Sequence, residues 1–293
     1  MSRVSAPTPA AGQAPAQASS LVQDLIEAGI HFGQRASGWN PKMGPYIYGK
    51  RNGIHIIDIK ETIKGLLLAK KYIAKSVAEG KDVVFIGTKR QARAVIEQRV
   101  GDVKMHWVTE RWLGGTLTNF RTIRSRLKRL EELEAIEQAD NFASYSKKME
   151  SQLRREKTKI FRNLAGIRHM DKLPGAMVAI DVKHEVNALR EARKLGIPTI
   201  CLIDTDGDPG LADIPIPGND DSMRSIDVVI RELCLAINDG KQLRGVAKDA
   251  GNEGSGEQGP RRSRRAQFRA DDAPAASEPD TVRATDAVPA RQA

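Results

Sequence analysis

Short, almost wholly apolar runs, set between helix-patterned segments, constrain this chain more than any single motif does. Val83-Val84-Phe85-Ile86, Ala176–Ile180 and Thr199-Ile200-Cys201-Leu202-Ile203 show next to no polar alternation. A strand with one wet face would alternate, so a run that is apolar throughout needs cover on both faces. Helical stripes lie between these runs. Residues 60–79 repeat Ile63, Leu66, Leu67, Tyr72, Ile73 and Val77, and a second helix starts after Gly87 and runs towards Val100. His184–Leu195 ends at Gly196, and 222–238 places Ile226, Val229, Ile230, Leu233 and Leu235 on its apolar side. Met105–Val108 and Ile214–Ile216 add short strands, and Tyr46–Tyr48 and Ile54–Ile57 add two more around the turn Gly49-Lys50-Arg51-Asn52-Gly53. Ahead of them, Leu21, Val22, Leu25 and Ile26 form a short helical face ending near Gly29. The pattern predicts an α/β fold: a three-layer sandwich with a mainly parallel sheet between helices.

The rhythm breaks at about 116–170. Phe120, Ile123, Leu127, Leu130 and Leu133 recur at spacings of three and four, and so, after a polar stretch, do Met149, Leu153, Ile160, Leu164 and Ile167. Two amphipathic helices with a short connection predict an inserted antiparallel coiled-coil helical hairpin. Each helix holds only a few heptads, so a packed helical subdomain is the alternative. The folded domain is expected over 20–245. Residues 1–19 and 246–293 are poor in large apolar groups and are expected to be disordered extensions.

Charge narrows the partners. The formal net charge is +10, and the tail 246–293 balances eight basic groups with eight acidic ones. The stretch 116–170 carries thirteen basic groups against seven acidic, so most of the excess sits on the hairpin. That favours a polyanionic partner. Cys201 and Cys234, both in apolar runs, read as buried free thiols. No run reaches membrane-spanning length and the first residues lack a signal-peptide pattern, which predicts a cytoplasmic protein.

Signatures of catalysis are thin. Phe85-Ile86-Gly87-Thr88-Lys89-Arg90 leads from a strand into a helix, where a phosphate could bind, but it lacks the glycine spacing of a P-loop. Asp204, Asp206 and Asp208 alternate after a strand's carboxyl end, where α/β folds place ligands. They form either a turn capped by its own carboxylates or a magnesium site completed by RNA phosphate. The calcium-loop pattern fails, because Pro209 and Pro215 take its glycine and glutamate positions. The five histidines show no zinc spacing. No cofactor and no small-molecule substrate is expected.

Nucleic-acid features are stronger. Arg121, Arg124, Arg126, Lys128 and Arg129 place five cations in nine residues with no acid between them, on faces away from the apolar stripe. Such a helix can follow a phosphate backbone, releasing counterions as it binds. Solvated coiled-coil faces ordinarily mix signs. Residues 31–51 interleave Arg35, Lys42, Lys50 and Arg51 with Phe32, Trp39, Tyr46 and Tyr48, again without an acid. That suits RNA contact by charge and stacking, or equally a loop with core aromatics.

Several blocks then carry a resemblance. Leu25-Ile26-Glu27-Ala28-Gly29-Ile30-His31-Phe32-Gly33, Trp39-Asn40-Pro41-Lys42-Met43, Phe85–Ala92, Arg111–Asn119, Leu195-Gly196-Ile197-Pro198 and Ile216–Asp221 occur in one order. Together they resemble the bacterial S-two family of small-ribosomal-subunit proteins over about 21–240. The resemblance implies a flavodoxin-like sheet with a protruding coiled-coil arm and a structural, non-enzymatic role in translation. It implies binding to small-subunit rRNA and contact with neighbouring small-subunit proteins, including ribosomal protein S one. Under it, Lys42, Lys89, Arg90 and the five cations of 121–129 are the expected RNA-backbone contacts. Trp39, Trp112, Gly114, Gly115 and Asn119 would shape the loops that present them. Gln34, Gly175, Asp206 and 211–215 depart from the family pattern, which weakens any metal reading of the 204–208 turn.

Overall fold

A computed structural model describes residues 14–140, 142 and 145–253. The Arg261–Arg265 cluster and most of both expected extensions lie outside them. The chain divides into a unit ending at Gly251 and a second one from Asn252. The described fold belongs to the first. Of the second, only Asn252 and Glu253 are described, as helical residues.

The elements follow in the order α1 (Ala14–Glu27), β1 (Phe32–Arg35), β2 (Ile47–Arg51), β3 (Ile54–Ile57), α2 (Ile59–Ala78), β4 (Val83–Ile86), α3 (Arg90–Asp102) and β5 (His106–Val108). Then come α4 (Phe120–Asp140), α5 (Lys147–Leu164), β6 (Ala176–Ile180), α6 (Val186–Lys194), β7 (Thr199–Ile203), β8 (Ile214–Pro217) and α7 (Met223–Glu253). Strands β5-β4-β6-β7-β8 form one sheet, parallel at every pairing. Side chains alternate across a strand, so each strand feeds two cores. Phe85, Val178, Ile200, Leu202 and Ile216 pack with α2, α3 and α7 on one side. Val84, Ile86, Met177, Ala179, Cys201 and Ile203 pack with α6 on the other. This is the expected sandwich, consistent with a flavodoxin-like fold.

The second face also receives the root of the helical hairpin. Ile123 and Leu127 of α4, Leu164 at the end of α5, and Ile167 just beyond it belong to the same buried cluster as the sheet. Farther out, Leu133, Phe142 and Leu153 make a separate small core. Ion pairs cross between the helices, Arg129 with Glu156 and Glu137 with Lys157. The hairpin is therefore anchored as part of a layer, not hung from a tether.

Three elements differ from the sequence expectation. Phe32–Arg35 is a strand, completing a separate antiparallel sheet of order β1-β3-β2. Helix α1 begins at Ala14, inside the expected extension, and α7 continues to Glu253, past the expected domain end. Adding a residue to an existing helix costs little, so polar sequence can extend one with no apolar stripe of its own.

Candidate nucleic-acid interface

The α4 stripe is built as its spacing requires. Ile123, Leu127 and Leu130 are buried, which turns Arg121, Arg124, Arg126 and Lys128 outward, while Arg129 is half-buried. Arg124 pairs with Asp171 at 2.7 Å, and Arg129 lies 3.1 Å from Glu132 and 3.6 Å from Glu156. Arg121, Arg126 and Lys128 make no ion pair among the described residues. No acid stands in the first turn of α4, where Arg121 sits. Unpaired amide hydrogens make that end of a helix electropositive, so a cation there is unfavourable by itself and welcomes an external anion.

The loop leading into α4 is held by a residue that sequence reading missed. Glu191 of α6 accepts Trp112 Nε1–H at 3.1 Å, Gly115 N–H at 2.7 Å, Leu117 N–H at 3.1 Å and Thr118 N–H at 3.2 Å. Burial works to raise the Glu191 carboxyl, but these donors, led by Gly115 N–H, hold it below the ordinary carboxylate range. Trp112 is buried. Gly115 has φ +92°, a conformation that side chains disfavour. Gly114 has only open space around its missing Cβ and no such constraint. Asn119 precedes the helix; its carbonyl accepts the Thr122 amide at 3.1 Å and its side chain accepts the Thr122 hydroxyl at 2.9 Å. Nothing in a lone glutamate seventy-odd residues away signals this role.

The structure places Lys89 among carboxylates. Its ammonium lies 2.6 Å from Asp220, 2.5 Å from Asp221 and 3.4 Å from Asp181, with the side chain 13% exposed. Its charge is engaged by carboxylates gathered at the sheet's carboxyl edge. Burial opposes its charge, yet Asp220 and Asp221 raise its pKa. Burial, then the neighbouring Asp181, pushes Asp220 up to about 8 against the pull of Lys89. Burial similarly brings Asp204 to about 6. Arg90, the next residue, is exposed.

The alternating aspartates do not converge either. Asp206 binds Lys183 at 2.8 Å, and Asp208 binds Lys42 at 2.7 Å while capping the Gly210 amide at 2.9 Å. The capped-turn alternative thus holds for Asp208, and Lys42 is already paired although largely exposed. Asp204 turns instead towards Asp220 and Asp221, with carboxylate oxygens of the three within 4.8 Å of one another. Lys89 supplies positive charge there, and Gln34 Nε2–H donates to Asp204 at 3.3 Å and Asp221 at 2.5 Å. In the remaining candidate region, Trp39 is partly exposed, its ring 5.1 Å from that of His55.

The structure is a parallel α/β sandwich whose sheet-edge charges are tied to one another, with an anchored cationic hairpin. The family described as ribosomal protein S2 matches residues 25–240. The small ribosomal subunit protein uS2 of Rhodopirellula baltica is 57% identical over 224 residues, 76% of this chain and 86% of that protein. Its counterpart in a Picosynechococcus species is 46% identical over 218 residues, covering 74% and 85%. The uS2c protein of Guillardia theta is 48% identical over 217 residues, covering 74% and 92%. The chain belongs to the ribosomal protein S2 family, a structural and non-enzymatic family of the translation machinery. No described helix is long and apolar enough to cross a membrane.

Proposed function

We propose that the chain is a structural constituent of the small ribosomal subunit that grips small-subunit rRNA through the outer face of α4. The observation that carries this reading is the set Arg121, Arg126 and Lys128, exposed and without described ion-pair partners at the acid-free end of that helix. A backbone phosphate offers the counter-charge, and binding would release condensed cations. Arg124 and Arg129 would join by exchanging surface carboxylates for phosphate, at little cost because exposed ion pairs are weak. Arg90, which is also exposed, would be a further phosphate contact. Glu191, through Trp112 and Gly115, sets the direction in which α4 leaves the sheet.

The same reading includes neighbouring small-subunit proteins as partners, with ribosomal protein S one among them; this part rests on the family resemblance. The test is sedimentation of native particles through a high-salt gradient. The chain is expected to stay with the small subunit, and subunits depleted of it are expected to lose protein S one. A chain released with loosely held cationic proteins would count against the rRNA reading, and undiminished protein S one would remove the docking role.

A further inference from the structure

The small antiparallel sheet carries a surface unlike that of α4. Register pairs Phe32 of β1 and Gly49 of β2 with Ile56 of β3, and Arg35 and Arg51 with Ile54. Directly opposed residues share a face, as do Ile54 and Ile56, two apart on one strand. One face therefore presents Phe32, Ile56, Arg35, Ile54 and Arg51 together, the register shift in β1 between Phe32 and Arg35 taking up the odd residue of their spacing. The opposite face sends His55 and Ile57 inward, where both are buried. Phe32 is 49% exposed and Ile54 37%, a large apolar area to leave in water.

The ring is held in place. A Cβ on Gly29, itself at φ +75°, would stand 3.3 Å from Phe32, and the His31 ring centroid lies 4.1 Å from that of Phe32. Gly49 leaves open space beside Ile56, with no atom within 4 Å of its missing Cβ. No Asp or Glu occurs between Glu27 and Asp58. Arg35, Lys50 and Arg51 make no ion pair among the described residues.

We propose that this face is a stacking platform for unpaired RNA, with Phe32 against a base and Arg35 and Arg51 on the flanking phosphates. The proposal rests on the RNA-binding reading and names a second substrate form for it. A helix lined with cations follows phosphates whether or not the bases are paired. An exposed ring on a sheet, bracketed by guanidiniums, matches both halves of an unstacked nucleotide, its π face and its charge. A base locked inside a duplex cannot reach such a ring.

The test uses the full chain and two labelled RNAs, an unstructured oligouridylate of about ten nucleotides and a fully paired hairpin, read by fluorescence anisotropy. Phe32→Ala is expected to weaken oligouridylate binding roughly tenfold and leave hairpin binding and the thermal midpoint unchanged. Phe32→Trp, which keeps a stacking ring, should bind like the parent. Equal binding of oligouridylate by parent and Phe32→Ala overturns the platform, as does an equal loss on both RNAs. If neutralising α4 abolishes hairpin binding while Phe32→Ala changes nothing, the α4 reading survives and the platform fails. If the parent binds neither RNA, both fall. A photo-crosslinking residue at position 32, in native small subunits, should attach to RNA; attachment only to protein makes the face a protein dock and overturns the proposal.

Discussion

Replacing Arg121, Arg126 and Lys128 together with glutamine removes three charges that the fold does not use. All three are exposed and outside described ion pairs, so folding stability should change by no more than about 0.5 kcal/mol per substitution. Their effect on RNA should be large and should depend on salt. Each phosphate neutralised on a duplex contributes about 0.9 to the slope of log K against log salt, so three contribute roughly 2.7. Between 50 and 200 mM salt the parent should lose about fortyfold more affinity than the variant, the fourfold salt change raised to that power. Filter binding on a paired small-subunit rRNA fragment, at four or more salt concentrations, measures this directly. Arg124→Gln with Arg129→Gln is the internal control. Both residues are already paired with carboxylates, so their removal should flatten the slope less per charge. A triple variant whose slope matches the parent's would refute α4 as a phosphate binder, whatever its absolute affinity.

Two further outcomes test the supports behind that surface. Glu191→Ala should cost roughly 2–3 kcal/mol in urea unfolding, because the Trp112, Gly115, Leu117 and Thr118 donors lose a charged acceptor and recover only part of it from water. In the parent, the depressed Glu191 carboxyl contributes stability above the ordinary carboxylate range, lost as pH falls through its folded value; Glu191→Gln should lack that dependence. Lys89→Met should cost about 3–5 kcal/mol by leaving the buried Asp181 and Asp220 carboxylates without their counter-charge. Asp220 and Asp204 are raised, to about 8 and about 6, so their charged forms are disfavoured and stability falls as pH rises from the ordinary carboxylate value through those two. The Lys89→Met deficit should therefore be larger at pH 8.5 than at pH 6; a pH-independent deficit would contradict the network.

Much of the scaffold was legible because burial leaves a mark on every residue of an element. Strands β4, β6 and β7 are apolar throughout because helices cover both sides, and the hairpin's stripe of Ile123, Leu127 and Leu130 follows directly from packing on one side. Strand β1 was hidden because Phe-Gly-Gln-Arg has neither β-branched residues nor alternation. The charged partnerships were hidden for another reason. Lys89 meets Asp220 across 131 positions and Lys42 meets Asp208 across 166. A cation's type can be read along the chain, but which loops share the edge of a sheet is decided only by topology. Lys89 reads as a phosphate ligand in sequence, while the fold sets it among Asp181, Asp220 and Asp221. A helix fixes its own faces, so the exposure of Arg121, Arg126 and Lys128 was legible, whereas the pairing of Arg124 beside them with Asp171 was not.

The most direct measurement exploits the two cysteines, both buried. Ser125→Cys, on the exposed side of α4 among its cations, would be the accessible thiol for an iron chelate that generates hydroxyl radicals. In reassembled small subunits, the account predicts strong, localised cleavage of the small-subunit rRNA backbone opposite that position. Subunits that carry the tethered chain yet show no cleavage above the untethered background would contradict the claim that α4 lies against RNA.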